Sequence, residues 1–248
     1  MHILILGGTS EASALTNALA ARPDIRATLS LAGRTQNPVL PRIECRVGGF
    51  GGAGGLAAWM RQHEVTALID ATHPFARIMP FNAVEAAHIA NVPLLSLLRP
   101  EWQPEAGDNW TQVPDHNEAI SILGSAPRRV FLTVGRLEIN AYTIAPQHFY
   151  VVRSIDPVEP KPLPNAVWLM ARGPFSIDSE GALLKEHNID AVITKNSGGE
   201  ATQAKLVAAR KLGLPVILIA RPPRPDTEHV ATAEEAMNWI ARIHDASL

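Results

Sequence analysis

Two stretches of this chain nearly repeat each other 122 residues apart: Val92-Pro93-Leu94-Leu95-Ser96-Leu97-Leu98-Arg99-Pro100 and Leu214-Pro215-Val216-Ile217-Leu218-Ile219-Ala220-Arg221-Pro222. Each is a short apolar run with proline before it and Arg-Pro after it, the mark of a strand buried on both faces and closed sharply. The repetition extends outward. The run 129–134, ending at Gly135-Arg136, answers the opening run 2–6 with its Gly7, and 149–152, ending at Arg153, answers 26–31. The run 168–175 answers the strand that leads to Phe50, and 190–199 answers 66–74. Strands in the same order, separated by helical stretches, predict parallel sheets with right-handed crossovers. The expected fold is α/β, with two doubly wound, Rossmann-like halves facing each other across a cleft. The boundary is set between 1–100 and 101–248, and a terminal strand crossing from one half to the other would leave the periodic pattern unchanged. Residues 101–110 read as a linker, and a helix from Thr232 to about His244 packs on one half.

The 248 residues suffice for two such halves, at about 120 residues each. A net charge of −2 leaves no basic footprint, so no nucleic-acid partner is expected. The single Cys45 excludes an internal disulfide and fits a reducing compartment. No apolar run reaches the roughly 18 residues of a membrane span, and Met1 leads directly into a strand, so the expected location is cytoplasmic. Tyr142 is followed four residues on by Pro146 and Tyr150 by Ser154, which removes the Tyr-x-x-x-Lys pair of short-chain dehydrogenases. Neither C-x-x-C nor H-E-x-x-H spacing occurs, so no metal site is expected. The oligomeric state stays open.

The opening strand runs straight into Gly7-Gly8-Thr9-Ser10-Glu11. The glycines permit a tight turn, Thr9 or Ser10 can cap the helix, and the first helical N–H groups suit a phosphate. The spacing is not the full G-x-G-x-x-G fingerprint, so a ligand-free corner is the competing reading. Gly33 and Arg34 end the second strand, where a dinucleotide fold meets the adenosine ribose. An arginine there, in place of an acid, suits a 2′-phosphate and therefore NADPH; a solvated loop charge is the alternative. Six glycines crowd residues 48–55. Gly49, Phe50 and Gly51 are candidates for close approach to a cofactor, with a mobile loop as the alternative. Thr72 and His73 follow a buried strand and lie on the carboxyl edge, where His73 serves a ligand or simply the structure.

In the second half Arg136, Arg153, Arg172, Arg221 and the loop Lys195-Asn196-Ser197-Gly198-Gly199 also stand at strand ends. Each cation singly reads as a surface charge, but a shared edge would converge them on a polycarboxylate. If the first half holds NADP and the second a carboxylate-rich substrate, hydride transfer across the cleft is the natural reaction, with His73 and Lys195 as candidate proton donors and bulk water as their competitor.

The strings Gly7-Gly8-Thr9-Ser10-Glu11, Gly48-Gly49-Phe50-Gly51-Gly52, Asp70-Ala71-Thr72-His73-Pro74-Phe75-Ala76, Arg172-Gly173-Pro174-Phe175 and Thr194-Lys195-Asn196-Ser197-Gly198-Gly199, with Arg221-Pro222, resemble the precorrin-6A reductases of cobalamin biosynthesis. The resemblance implies an NADPH-dependent enzyme that reduces one double bond of a tetrapyrrole macrocycle fringed with acetates and propionates, giving precorrin-6B. It also implies NADP mainly on the first half. It selects neither the proton donor nor a metal-free over a cobalt-loaded substrate. The alternative is a non-catalytic two-lobed sensor of a nucleotide or anionic ligand. Arg34→Ala is expected to weaken NADPH by roughly tenfold, the worth of one charge-assisted hydrogen bond, with little effect on NADH. Titration of both nucleotides checks this, and equal losses would remove Arg34 from that role.

Overall fold

The computed structural model describes residues 1–33 and 41–245; Arg34 lies outside the described residues. The chain forms two compact units, one of Met1–Pro100 joined by the chain from Pro222 onward, the other of Glu101–Arg221. The first sheet contains β1 (His2–Leu6), β2 (Arg26–Leu31), β3 (Glu44–Val47), β4 (Ala67–Asp70) and β5 (Leu94–Leu97), with β12 (His229–Val230) from the end of the chain. Its order is β12-β5-β4-β1-β2-β3, all parallel. β1 and β4 are buried at every position, as strands covered on both faces must be. One face packs Leu15 and Leu19 of α1 (Ser10–Leu19) with Ala236, Trp239 and Ile240 of α7 (Ala233–Asp245). The other packs Leu56 and Met60 of α2 (Ala53–Gln62) with Ala83 and Ala86 of α3 (Met79–Ala90).

The second sheet contains β6 (Trp110–Val113), β7 (Arg129–Thr133), β8 (Phe149–Ser154), β9 (Ala166–Met170), β10 (Ala191–Lys195) and β11 (Val216–Ile219). Its order, β6-β11-β10-β7-β8-β9, is the same plan. Its helices are α4 (His116–Leu123), α5 (Ile177–Glu186) and α6 (Ala204–Lys211). Where the first unit has α1, the second has a 3-10 helix, Arg136–Ile144.

The two repeats exchange their sixth strands. Ser96 of β5 pairs with His229, and its equivalent Leu218 of β11 pairs with Gln112. Both sixth strands run through a valine, Val113 or Val230, into the same capped helix start. Asp115 accepts from the N–H of Glu118 at 3.0 Å, and Thr232 accepts from that of Glu235 at 3.2 Å. Thus β6 and β12 each complete the sheet that the other repeat began. This corrects the expected boundary: residues from 222 onward belong with the first unit, not with 101–221. Strand order along the chain is unchanged by such an exchange, so the repeat pattern could not show it.

Parallel pairing puts every carboxyl end of a sheet on one edge. The strand order reverses between β1 and β4 in the first unit and between β7 and β10 in the second, the switch points where doubly wound sheets open a crevice. Because α7 closes one face of the first unit, Trp239→Ala is expected to cost about 3–5 kcal/mol. Trp239 is 3% exposed and its indole N–H donates to Glu228 at 2.9 Å. Urea unfolding reads the loss, and an unmoved midpoint would contradict the packing of the returning segment.

Candidate functional site

At the first switch point Gly8 holds φ +129°, a conformation that favours glycine, and a Cβ on Gly7 would collide with Leu29. Thr9 is the cap of α1. Its hydroxyl oxygen accepts from the N–H of Ala12 at 3.1 Å and its proton goes to the Ala71 carbonyl at 3.0 Å. One side chain therefore ties the turn after β1 to the turn after β4. Glu11, in the first turn of α1, pairs with Arg99 at 2.9 Å, and Ser10 donates to Glu11 at 3.1 Å.

The glycine cluster is shorter as a loop than its composition implies. α2 already begins at Ala53, and Gly55 sits inside it because a Cβ there would strike the Phe50 carbonyl. Gly52 caps this helix at φ +96°, with no side-chain cap and no acid in the first turn. A Cβ at Gly49, Gly51, Gly52 or Gly54 would meet nothing within 4 Å. The first N–H groups of α2 thus border open space framed by glycines, and this cradle fits the phosphates of a nucleotide. Arg46 shapes it. Its guanidinium donates to Ser30 Oγ at 2.7 Å, to the Gly48 carbonyl at 3.0 Å and to the Gly49 carbonyl at 3.1 Å. It also lies 3.8 Å from the centre of the Phe50 ring, while Trp59 meets that ring edge-on. One face of Phe50 is therefore covered by Arg46.

After β4, the N–H and hydroxyl of Thr72 both donate to Asp70 Oδ1, at 3.0 and 2.6 Å, and Arg224 donates to Asp70 Oδ2 at 2.6 Å. The half-buried His73 accepts the Phe75 N–H on Nδ1 at 3.2 Å. In the neutral ring this leaves the proton on Nε2.

In the second unit Lys195 reaches both oxygens of Glu138, at 2.9 and 3.1 Å. The pair nests against Gly135, where a Cβ would run into Glu138 and stand 3.1 Å from the ammonium. Asn196 turns inward: it is 2% exposed, accepts from the Trp102 N–H at 2.9 Å and donates to the Trp102 carbonyl and Glu101. Arg221 donates to the carbonyls of Asn196 and Ser197, at 2.9 and 3.1 Å, and faces Glu101 at 3.5 Å. Gly198 and Gly199 take φ of 65° and 87°, and the Trp102 indole donates to the Gly199 carbonyl at 3.2 Å. Lys195, Asn196, Ser197, Gly199 and Arg221 are thus one cluster, braced by residues 101–102. Arg136, next to Gly135, and Arg172, beyond β9, are exposed.

Arg153, which the strand pattern placed with these cations, is instead buried on Glu180. Sequence reasoning also missed the partners Glu138, Glu101, Asp70 and Arg224, and the clamp Arg46. For Glu138, three residues past Gly135, spacing offered a signal; for Arg224 none existed, because only the strand exchange brings it to β4.

Two doubly wound parallel sheets, with glycine-framed turns at the carboxyl ends of one and a braced cationic loop at those of the other, define a two-unit α/β protein whose candidate ligand sites lie at strand ends. The family model described as precorrin-6x reductase, CbiJ/CobK, matches residues 2–241. A precorrin-6A reductase of Rhodococcus erythropolis is 48% identical over 98% of this chain and 98% of its own. A cobalt-precorrin-6A reductase of Salmonella typhimurium is 29% identical over 96% and 97%. A solved structure described as CobK precorrin-6A reductase matches with a TM-score of 0.93 over 98% of this chain and 96% of that one, at 46% identity. The chain belongs to the precorrin-6x reductase family. Membership of a family of reductases implies a nicotinamide cofactor. Among the described residues no helix is long and apolar enough to cross a membrane.

Behind the cationic loop, Lys205 donates to the Thr202 carbonyl at 2.7 Å and lies 4.9 Å from the Trp102 ring centre. Burial pushes its ammonium down to about 7, helped by Arg153 and opposed by Glu180. A lysine whose folded value lies below its unfolded value binds fewer protons when folded, so stability rises with pH from about 7 towards the unfolded value near 10.5. Lys205→Met is expected to remove that rise. Denaturant midpoints across this range test it, and parallel profiles for the two proteins would contradict it.

Proposed function

We propose that this chain is an NADPH-dependent precorrin-6A reductase, which adds two hydrogens across one double bond of the macrocycle to give precorrin-6B, and that it works in the cytoplasm. The observation that carries the reading is full-length identity of 48% to a precorrin-6A reductase. The lower identity, 29%, to a cobalt-precorrin-6A reductase favours the metal-free substrate.

NADPH when bound supplies a hydride equivalent, and a proton must come from elsewhere. In the first unit, the cradle at Gly49–Gly52 and the turn Gly7–Ser10 offer N–H donors to the phosphates, with Arg34 for the 2′-phosphate. Gly33, Phe50 and Thr72 line the same edge, and Glu11 anchors Arg99 beside it. His73 could give a proton only as imidazolium, with Nδ1 turned away from the Phe75 N–H it now accepts; in the neutral ring its Nε2–H suits a hydrogen bond to a ligand oxygen, and water then supplies the proton. Lys195 is held by both Glu138 oxygens and is suited to anchor a substrate carboxylate. Arg136 and Arg172 add exposed cations, while Ser197, Gly198 and Gly199 present loop backbone. Arg221 and Asn196 support this surface by holding the loop in shape.

The test supplies NADPH with the metal-free and the cobalt-loaded macrocycle side by side and follows the nicotinamide absorbance. Oxidation is expected to be faster with the metal-free substrate. Binding of NADPH without oxidation by either would restore the sensor reading. Lys195→Ala is expected to raise KM for the macrocycle about tenfold, the worth of a charge-assisted contact, and to leave NADPH affinity unchanged. An unaltered KM would remove Lys195 from the substrate site.

A further inference from the structure

One charged side chain of the second unit stands where folding alone would favour a neutral one. Lys205 is 3% exposed and lies in the first turn of α6, at the positive end of that helix. Two charged groups face it from neighbouring elements, Arg153 of β8 and Glu180 of α5, both buried. Glu180 gives both of its oxygens to the Arg153 guanidinium. That pair is balanced by itself, so the ammonium of Lys205 is a positive charge left over. It is met by the Thr202 carbonyl at 2.7 Å and by the Trp102 ring, whose centre is 4.9 Å away.

Both contacts lead to the cationic loop. Thr202 closes the 3-10 helix Glu200–Thr202, which follows Gly199 directly. Trp102 holds the loop through its N–H on Asn196 Oδ1, its carbonyl under Asn196 Nδ2 and its indole on the Gly199 carbonyl. The Arg153 side of the cluster reaches a second string at the same edge. Its guanidinium lies 3.7 Å from the centre of the Phe175 ring, and the Phe175 N–H donates to the Ala201 carbonyl at 3.2 Å. A Cβ on Gly173 would stand 2.7 Å from that carbonyl, so the two segments pack closely. Arg172 and Lys195 are thus carried on segments that share one buried charge cluster.

An apolar side chain in place of Lys205 would leave a balanced ion pair and avoid burying a cation, so stability does not account for the charge. Binding of an anion does. A cation behind the loop acts through protein, where salt screens it little, and the ligand proposed for this edge carries several carboxylates. We propose that Lys205 is a positioning residue for the macrocycle: its ammonium, through Thr202 and Trp102, holds the loop Lys195–Gly199 in its binding shape and sets a positive charge behind it. This assignment rests on the reductase reading and on the placing of a substrate carboxylate at Lys195. Because burial lowers the ammonium to about 7, the support is present below that pH and is withdrawn above it.

The experiment measures KM for the metal-free macrocycle, with NADPH saturating, on wild type and Lys205→Met between about pH 6 and about pH 9. At the acid end the variant is expected to show a KM about tenfold higher, the worth of a charge-assisted contact, with kcat and NADPH affinity within about twofold. At the alkaline end, where wild type has lost the proton, the two KM values are expected to converge to within about twofold. A gap that stays constant across the range would overturn the proposal, because steric support by a side chain does not titrate, and equal KM values throughout would overturn it too. A second measurement needs only wild type: binding of the macrocycle at about pH 8 is expected to take up protons, since a ligand that favours the protonated form raises its population. The dependence of the binding heat on the buffer's ionisation enthalpy reads this, and no uptake would contradict the role. If wild type does not oxidise NADPH with the macrocycle, the reductase reading fails and this role fails with it; normal oxidation with a pH-independent gap removes Lys205 alone.

Discussion

Parallel pairing is the constraint on which the rest of this structure depends. A parallel strand must be followed by a crossover, so its neighbours leave the sheet on the same side and all their carboxyl ends gather on one edge. The buried runs of β1, β4, β7 and β10 enforce that arrangement, since both faces of each must be covered. Whatever polar residues follow those strands are then brought together without any sequence proximity. Thr9 and Ala71, 62 residues apart, meet for this reason. So do Lys195 and Glu138, 57 apart.

The two units use that edge differently. In the first it is lined by glycine and short hydroxyl side chains, which leave backbone N–H groups accessible and keep side-chain charge paired, as in Glu11 with Arg99 and Asp70 with Arg224. In the second it carries cations, two of them steadied by an acid: Lys195 by Glu138, Arg221 by Glu101. A steadied cation loses less conformational freedom when a ligand carboxylate arrives than a free surface lysine would. The contrast between a backbone-rich edge and a cation-rich edge is what the proposed placing of a nucleotide on the first unit and a polycarboxylate on the second rests on.

Much of this was legible in the sequence, because buried strands and glycine turns are local signals. The 122-residue repeat foretold both sheets, and of the two cap candidates before Glu11, Thr9 and Ser10, it is Thr9 that accepts from the helix. Other features were illegible for definable reasons. The exchange of β6 and β12 leaves strand order along the chain unaltered, so the boundary was misplaced. Helix α2 starts among glycines that read as loop, because tertiary packing at Gly55 overrides a poor helix propensity. Asn196 sits in a loop string that reads as ligand-binding, yet its amide is engaged by the Trp102 backbone. Arg153 belongs to a strand-end pattern but points into the core at Glu180. Counter-ions are set by three-dimensional proximity, and spacing along a chain does not report it.

The central claim is that hydride passes from NADPH to the macrocycle on this protein. The most direct measurement is product mass after turnover with NADPH deuterated at the transferring C4 position. The account predicts a product heavier than precorrin-6A by one deuterium and one hydrogen, with one NADP+ formed per product. A product without deuterium, or NADPH left unoxidised in the presence of the macrocycle, would contradict it.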